Sequence, residues 1–382
     1  MRIAIDLRWV RSKNLDGIGR YSLELTKELL KRSPSDFKYC LLFWKKDLGE
    51  FSLDFLGKTA LIPEVKFLPF NILSLKDLLI LPSYLEKEKI DIYFTPNYFT
   101  SPIHKKTYKL IVVVHDLIPF LFTFPKGSLI WKIFFKFKFQ LRPIFKKADK
   151  IICVSKNTMK DLIKLFKVPS GKTKVIGEGV GRNFKILKTY KVKEFLKKHK
   201  LNYHEFILFV GRQDPYKNLE SLIKAYGNLE DRFKEKYKLV ILGKINQRYF
   251  PGLKELIQKL EIDNFVKFLG YIPEVELPYF YNGAAVFCLP SFYEGFGLPV
   301  LEAQACGTPV ICSNTSSLVE IVDGSAILIN PYDFREIKRA LKWVLEDKEL
   351  VLKLKRKGLE NVKRFSWSKT ADQFINLFKE IS

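Results

Sequence analysis

Two glutamates eight positions apart, Glu294 and Glu302, lie in the stretch of this chain richest in chemistry. The stretch runs from residue 289 to 310, opening where one apolar run ends and closing where the next begins. Gly295 and Gly297 let the backbone turn tightly and come close to a ligand. Pro299 suits a first helical turn, which predicts a helix over 298–305 whose unsatisfied N–H groups face the loop. Such groups hold phosphate or sugar oxygens. The helix end would take a diphosphate while the two carboxylates accept hydrogen bonds from sugar hydroxyls. A lone glutamate in a loop is more simply a solvated side chain, but the whole string is poorly explained that way.

The surrounding pattern is one of strands alternating with helices. Strands are expected at 3–6, 39–43, 90–94, 110–114 and 150–154, then at 206–210, 239–242, 266–269, 285–289, 310–312 and 327–329. The run 111–114 is apolar throughout, as in a parallel strand covered on both faces. Helices are expected at 18–30, from Ser155 towards Lys167, at 219–229 and at 367–381. Strand, glycine and helix repeated in this way predict an α/β chain of doubly wound parallel sheets. The domains expected are 1–188 and 189–366. Such a layout places ligands at the strand C-termini.

The 382 residues carry a formal net charge of +25. Residues 1–190 hold 36 basic and 17 acidic side chains, and residues 191–382 hold 30 and 24. A basic half needs an anionic partner, or it is lysine kept for solubility. The densest segment, 126–150, mixes Lys132, Lys136 and Lys138 with Trp131 and several phenylalanines. It reads equally as an interfacial membrane helix or as a helix burying its rings in the core. No zinc-finger, helix-turn-helix or RNP-like pattern accompanies the charge, so nucleic acid is the weakest partner. No stretch reaches 18 consecutive apolar residues, which excludes a spanning helix, and the strand-like start does not resemble a cleaved leader. Five scattered cysteines and four histidines argue against disulfides and a zinc site, and for a reducing compartment.

The 289–310 string closely resembles the Glu-x7-Glu signature of the retaining nucleotide-sugar glycosyltransferases of family four, which have the GT-B fold. Other segments resemble the family in order: Asp16-Gly-Ile-Gly-Arg-Tyr21, Val114-His-Asp-Leu117, Val175-Ile-Gly-Glu-Gly-Val180, Val210-Gly-Arg-Gln-Asp-Pro-Tyr-Lys-Asn218 and Phe365-Ser-Trp367. The resemblance implies two Rossmann-like domains facing a central cleft, the first binding acceptor and the second nucleotide sugar, with the last helix, 367–382, returning to the first. It implies that Arg212 and Lys217 bind the donor diphosphate in place of a metal, and no Asp-x-Asp is present. By the same resemblance Glu302 binds ribose hydroxyls, and Glu294 binds the transferred sugar. Gly295, Phe296, Gly297 and Leu298 offer backbone groups. Gly17 and Gly19 let an N-terminal loop close over the phosphates, and Tyr271 and Ile272 flank the base. His115 contacts the donor sugar or orients the acceptor, with Asp116 beside it.

Glu178 departs from the Pro-Asn-Gly-Val usual in the family and could alter acceptor contacts. The resemblance is strongest to mannosyl- and rhamnosyl-type transferases of surface-polysaccharide assembly. The expected donor is therefore GDP-mannose, with no cofactor or metal. The expected acceptor is a lipid-linked or lipopolysaccharide oligosaccharide, and the expected place is the inner face of the cytoplasmic membrane. The alternative is a UDP- or ADP-sugar transferase or an epimerase of the same fold, and an epimerase or a soluble sucrose- or glycogen-type synthase would not need the basic aromatic segment. A non-catalytic nucleic-acid binder would not need Glu294 and Glu302.

Overall fold

A computed structural model of the chain describes residues 1–10, 17–45, 59–72, 74–103, 105, 107–122 and 141–382. Trp131, Lys132, Lys136 and Lys138 lie outside the described residues, as does Asp16. The chain forms two compact units. Met1–Gly179 joins Ser366–Ser382 in the first, and Val180–Phe365 makes the second.

The first unit is built on a seven-stranded sheet. Its strands are β1 (Arg2–Asp6), β2 (Lys38–Trp44), β3 (Glu64–Leu68), β4 (Ile92–Thr95), β5 (Lys109–Val114), β6 (Lys150–Cys153) and β7 (Thr173–Val175). They are ordered β3-β2-β1-β4-β5-β6-β7, and every pairing is parallel. The apolar run Ile111, Val112, Val113 and Val114 is wholly buried, because a parallel sheet is covered on both faces. Ser155 caps the helix Lys156–Phe166 by accepting from the Thr158 N–H.

The chain leaves the second unit at Phe365 and completes the first with the helix Trp367–Ile381. Phe374 and Phe378 on that helix are fully buried and meet Phe94 of β4, with ring centroids 5.0 and 5.8 Å apart. Asp372 takes both arms of Arg32, at the end of the helix Gly17–Arg32, at 2.8 and 2.6 Å. This is the returning helix expected from the sequence.

The second unit has six parallel strands: β8 (Phe206–Val210), β9 (Lys238–Leu242), β10 (Val266–Gly270), β11 (Val286–Leu289), β12 (Val310–Ser313) and β13 (Ile327–Ile329). Their order is β10-β9-β8-β11-β12-β13. Both sheets reverse direction beside their first strand, between β1 and β4 and between β8 and β11. Open α/β sheets bind ligands beyond the strand C-termini at such a reversal.

Two details differ from the sequence reading. The division falls after Gly179, ahead of the boundary expected after 188. Residues 180–188 are tied to the second unit, where the Asn282 side chain donates to the Lys185 carbonyl and accepts from the Leu187 N–H, both at 2.9 Å. Gly17 and Gly19 do not form a loop. The helix Gly17–Arg32 begins at Gly17, and Gly19 is buried within it.

Candidate functional site

In the second unit, the loops after β8 and β11 place Lys217 against Glu294. Lys217 ends a short 3-10 turn, Pro215–Lys217. Its ammonium donates to both carboxylate oxygens of Glu294, at 2.8 and 2.9 Å. The Ser291 hydroxyl donates to Oε1 of the same carboxylate at 2.6 Å, and the Ser316 hydroxyl accepts from the Glu294 N–H at 2.9 Å. Ser317 donates to the carbonyls of Glu294 and Phe296. Asn218, in the left-handed region, donates to the carbonyls of Pro290 and Pro331 at 3.0 and 2.7 Å. That amide ties the loop after β8 to those after β11 and β13.

Gly297 sits before the helix Leu298–Ala305 with φ of 115°, where a side chain is strained, and a Cβ there would meet Leu318 at 2.7 Å. Phe296 is buried edge-on to Phe365. Gly295 is buried and Leu298 half-buried. Glu302, on the helix, is buried and accepts from the Tyr281 hydroxyl at 2.9 Å. Arg212 follows β8 with its side chain 71% exposed, contacting Asp214 at 3.0 Å. An exposed guanidinium on a strand-end loop can swing to an arriving anion. Tyr271 is exposed and Ile272 half-buried, and both follow β10 at the sheet edge, two strands from β8.

In the first unit, three strand ends converge on His115. It follows β5 and is buried. Its Nε2 lies 2.8 Å from the carbonyl oxygen of Pro96, after β4, and its Nδ1 lies 3.1 Å from Glu178, after β7. The Tyr21 ring meets it edge-on at 4.6 Å. Burial pulls the imidazole towards neutrality. The hydrogen bond and charge of Glu178, the Pro96 carbonyl and the Asp116 charge outweigh it and raise its pKa above the ordinary value. Asp116 turns locally, accepting from the Ile118 N–H at 3.0 Å.

At the end of β1 lies a buried ionic cluster. Arg8, fully buried, donates to Asp6 at 2.9 and 2.7 Å and to Asp77 at 2.7 Å, and Tyr93 donates to Asp6. Burial pushes the Asp6 carboxyl up, but Arg8 and the Tyr93 hydroxyl hold it below its usual range.

The structure thus joins Lys217 with Glu294 and His115 with Glu178, and keeps Tyr271 and Ile272 at a sheet edge. Sequence reasoning missed Ser291, Ser316, Ser317, Asn218, Tyr281 and the Asp6–Arg8–Asp77 cluster. The spacing of Ser291 three residues before Glu294 was the available signal for one of them. All five cysteines are unpaired and buried. Among the described residues no helix is long and apolar enough to cross a membrane.

Residues 15–183 match the family model described as Glycosyltransferase Family 4, and residues 191–361 match Glycosyl transferases group 1. The chain is 29% identical to the O-antigen chain mannosyltransferase B of Escherichia coli over 385 residues, 96% of each chain. It is 30% identical to the serotype-specific mannosyltransferase WbdA of Escherichia coli over 73% of its own length, and it spans 34% of that longer relative. Sucrose-phosphate synthase from Thermosynechococcus elongatus superposes with a TM-score of 0.78 at 21% identity, over 100% of this chain and 98% of that one. That likeness is one of fold.

Proposed function

Because this chain belongs to the family-four glycosyltransferases of GT-B fold, we propose that it moves mannose from GDP-mannose to a lipid-linked or lipopolysaccharide-type oligosaccharide, with retention at the sugar carbon. The observation that carries glycosyl transfer is the Lys217–Glu294 contact beside the β8–β11 reversal. Without substrate the two charges neutralise each other. A diphosphate takes the Lys217 ammonium, and the Glu294 oxygens turn to sugar hydroxyls. Glu302 accepts from the ribose. Arg212 and Lys217 balance the charge that grows on the departing diphosphate, so the reaction needs no metal. The sugar–phosphate bond breaks, the acceptor oxygen bonds the same face of the sugar carbon, and its proton passes to the departing phosphate.

Mannose is supported by the likeness to the two mannosyltransferases. Calorimetry across GDP-, UDP-, ADP- and dTDP-sugars tests the donor, and tightest binding by another base would redirect it. Transfer is expected to persist in chelator, and loss of turnover restored by a divalent cation would reject the metal-free reading. The basic 126–150 segment supports a seat on an anionic membrane face. Replacing Lys132, Lys136 and Lys138 by Glu is expected to weaken binding to anionic vesicles, and unaltered binding would remove that claim.

A further inference from the structure

We propose that Glu178 is a positioning residue, holding His115 as an imidazolium with both N–H groups committed to protein acceptors, so that His115 serves transfer as a fixed positive charge. The role in transfer rests on the function proposed above, whereas the state of the pair does not.

The argument begins with the carbonyl oxygen of Pro96. It has no proton to give, so the His115 Nε2 2.8 Å away must carry one. The other nitrogen, Nδ1, faces Glu178 Oε1 at 3.1 Å. Two states satisfy that contact: a carboxylate accepting from an imidazolium, or a carboxylic acid donating to a neutral ring.

The surroundings choose between them. The groups facing the ring are the carboxylates of Glu178 and Asp116, the Pro96 carbonyl and the Tyr21 ring. Each charged one is negative. The Thr158 hydroxyl donates to the His115 carbonyl at 3.4 Å. Glu178 is itself buried, so a carboxylate at that place needs a cation beside it. Gly179 then locks the backbone, since a Cβ on it would stand 2.2 Å from the Trp367 nitrogen.

With both nitrogens protonated, His115 has no lone pair to accept a proton and cannot be a general base. It has two uses left: a positive charge at the strand ends, and an edge that holds Tyr21. The Tyr21 hydroxyl is buried with no partner among the described residues.

The test is ring-nitrogen NMR on histidine-labelled protein, the His115 signal being identified by its absence in His115→Gln. Both nitrogens are expected to be protonated at pH 7. In Glu178→Gln the His115 midpoint should fall by about one pH unit or more, a tenfold loss of proton affinity. An unprotonated Nδ1 in the unaltered protein, or an unmoved midpoint in the variant, overturns the proposal. The wild-type spectrum decides even if the variant does not fold, and it needs no substrate. In parallel, the alkaline fall of kcat should move to lower pH in Glu178→Gln by the same interval. A uniform loss with an unmoved pH profile overturns the role in transfer. Failure of every donor to react would instead count against the proposed function.

Discussion

Lys217 spans both oxygens of the Glu294 carboxylate, although the two residues belong to loops 77 positions apart in the chain. The pair is preformed, and each partner holds the other in place. Lys217→Met should lower kcat/KM by about 10²–10³-fold, as for loss of one group that meets developing charge. Glu294→Ala should abolish transfer with an unchanged circular dichroism spectrum. Undiminished turnover in either variant would remove the pair from the reaction.

Tyr281 steadies Glu302 by one hydrogen bond at 2.9 Å. Tyr281→Phe keeps the ring and removes only that donor, a loss of about 1 kcal/mol. Nucleotide affinity should weaken about fivefold while kcat for saturating donor changes little. Calorimetry with the free nucleoside diphosphate measures the first, and a larger effect on kcat than on affinity would contradict it.

Gly297 holds φ of 115° where the loop enters the helix Leu298–Ala305. Gly297→Ala should cost about 1–3 kcal/mol of stability and displace the loop from the ligand. Thermal melting and donor affinity should fall together. A variant that melts normally and binds normally would show that the loop tolerates another conformation.

Arg8 lies between Asp6 and Asp77 with no exposure. Arg8→Met leaves two carboxylates buried without their cation and should cost about 3–5 kcal/mol in urea unfolding at pH 7. Asp6 is held below its ordinary range, so its contribution is present above the unfolded carboxylate pKa and is lost as pH falls through the folded value. The stability gap between the two proteins should therefore narrow towards acid. A gap constant down to pH 3 would contradict the assignment.

The parts readable from the sequence were those with an apolar run or a repeated spacing. The covered strand at 111–114 and the 289–310 string are of this kind. Strands β3 and β7 escaped because edge strands need little apolar surface: β3 carries Glu64 and Lys66, and β7 has three half-buried residues. The helix Leu75–Lys87 contains Pro82, which masks its pattern. The sequence singled out Lys217, Glu294, His115 and Glu178 one by one, but not their pairings. Glu178 stands 63 positions from His115, and no local spacing relates the ends of β5 and β7. Arg8 shows only as a basic residue two positions after Asp6, and its burial depends on Asp77, which comes from the helix Leu75–Lys87.

The helix Trp367–Ile381 has a consequence for the order of synthesis. The first unit cannot be finished when its main segment leaves the ribosome, because the cover for Phe94 is encoded after the whole second unit. Residues 180–365 must be made before Phe374 and Phe378 can dock. Until then an apolar face stays open to chaperones or to a neighbouring chain. A fragment ending at residue 179 would carry that open face permanently, and a peptide of residues 366–382 added to it should restore its solubility.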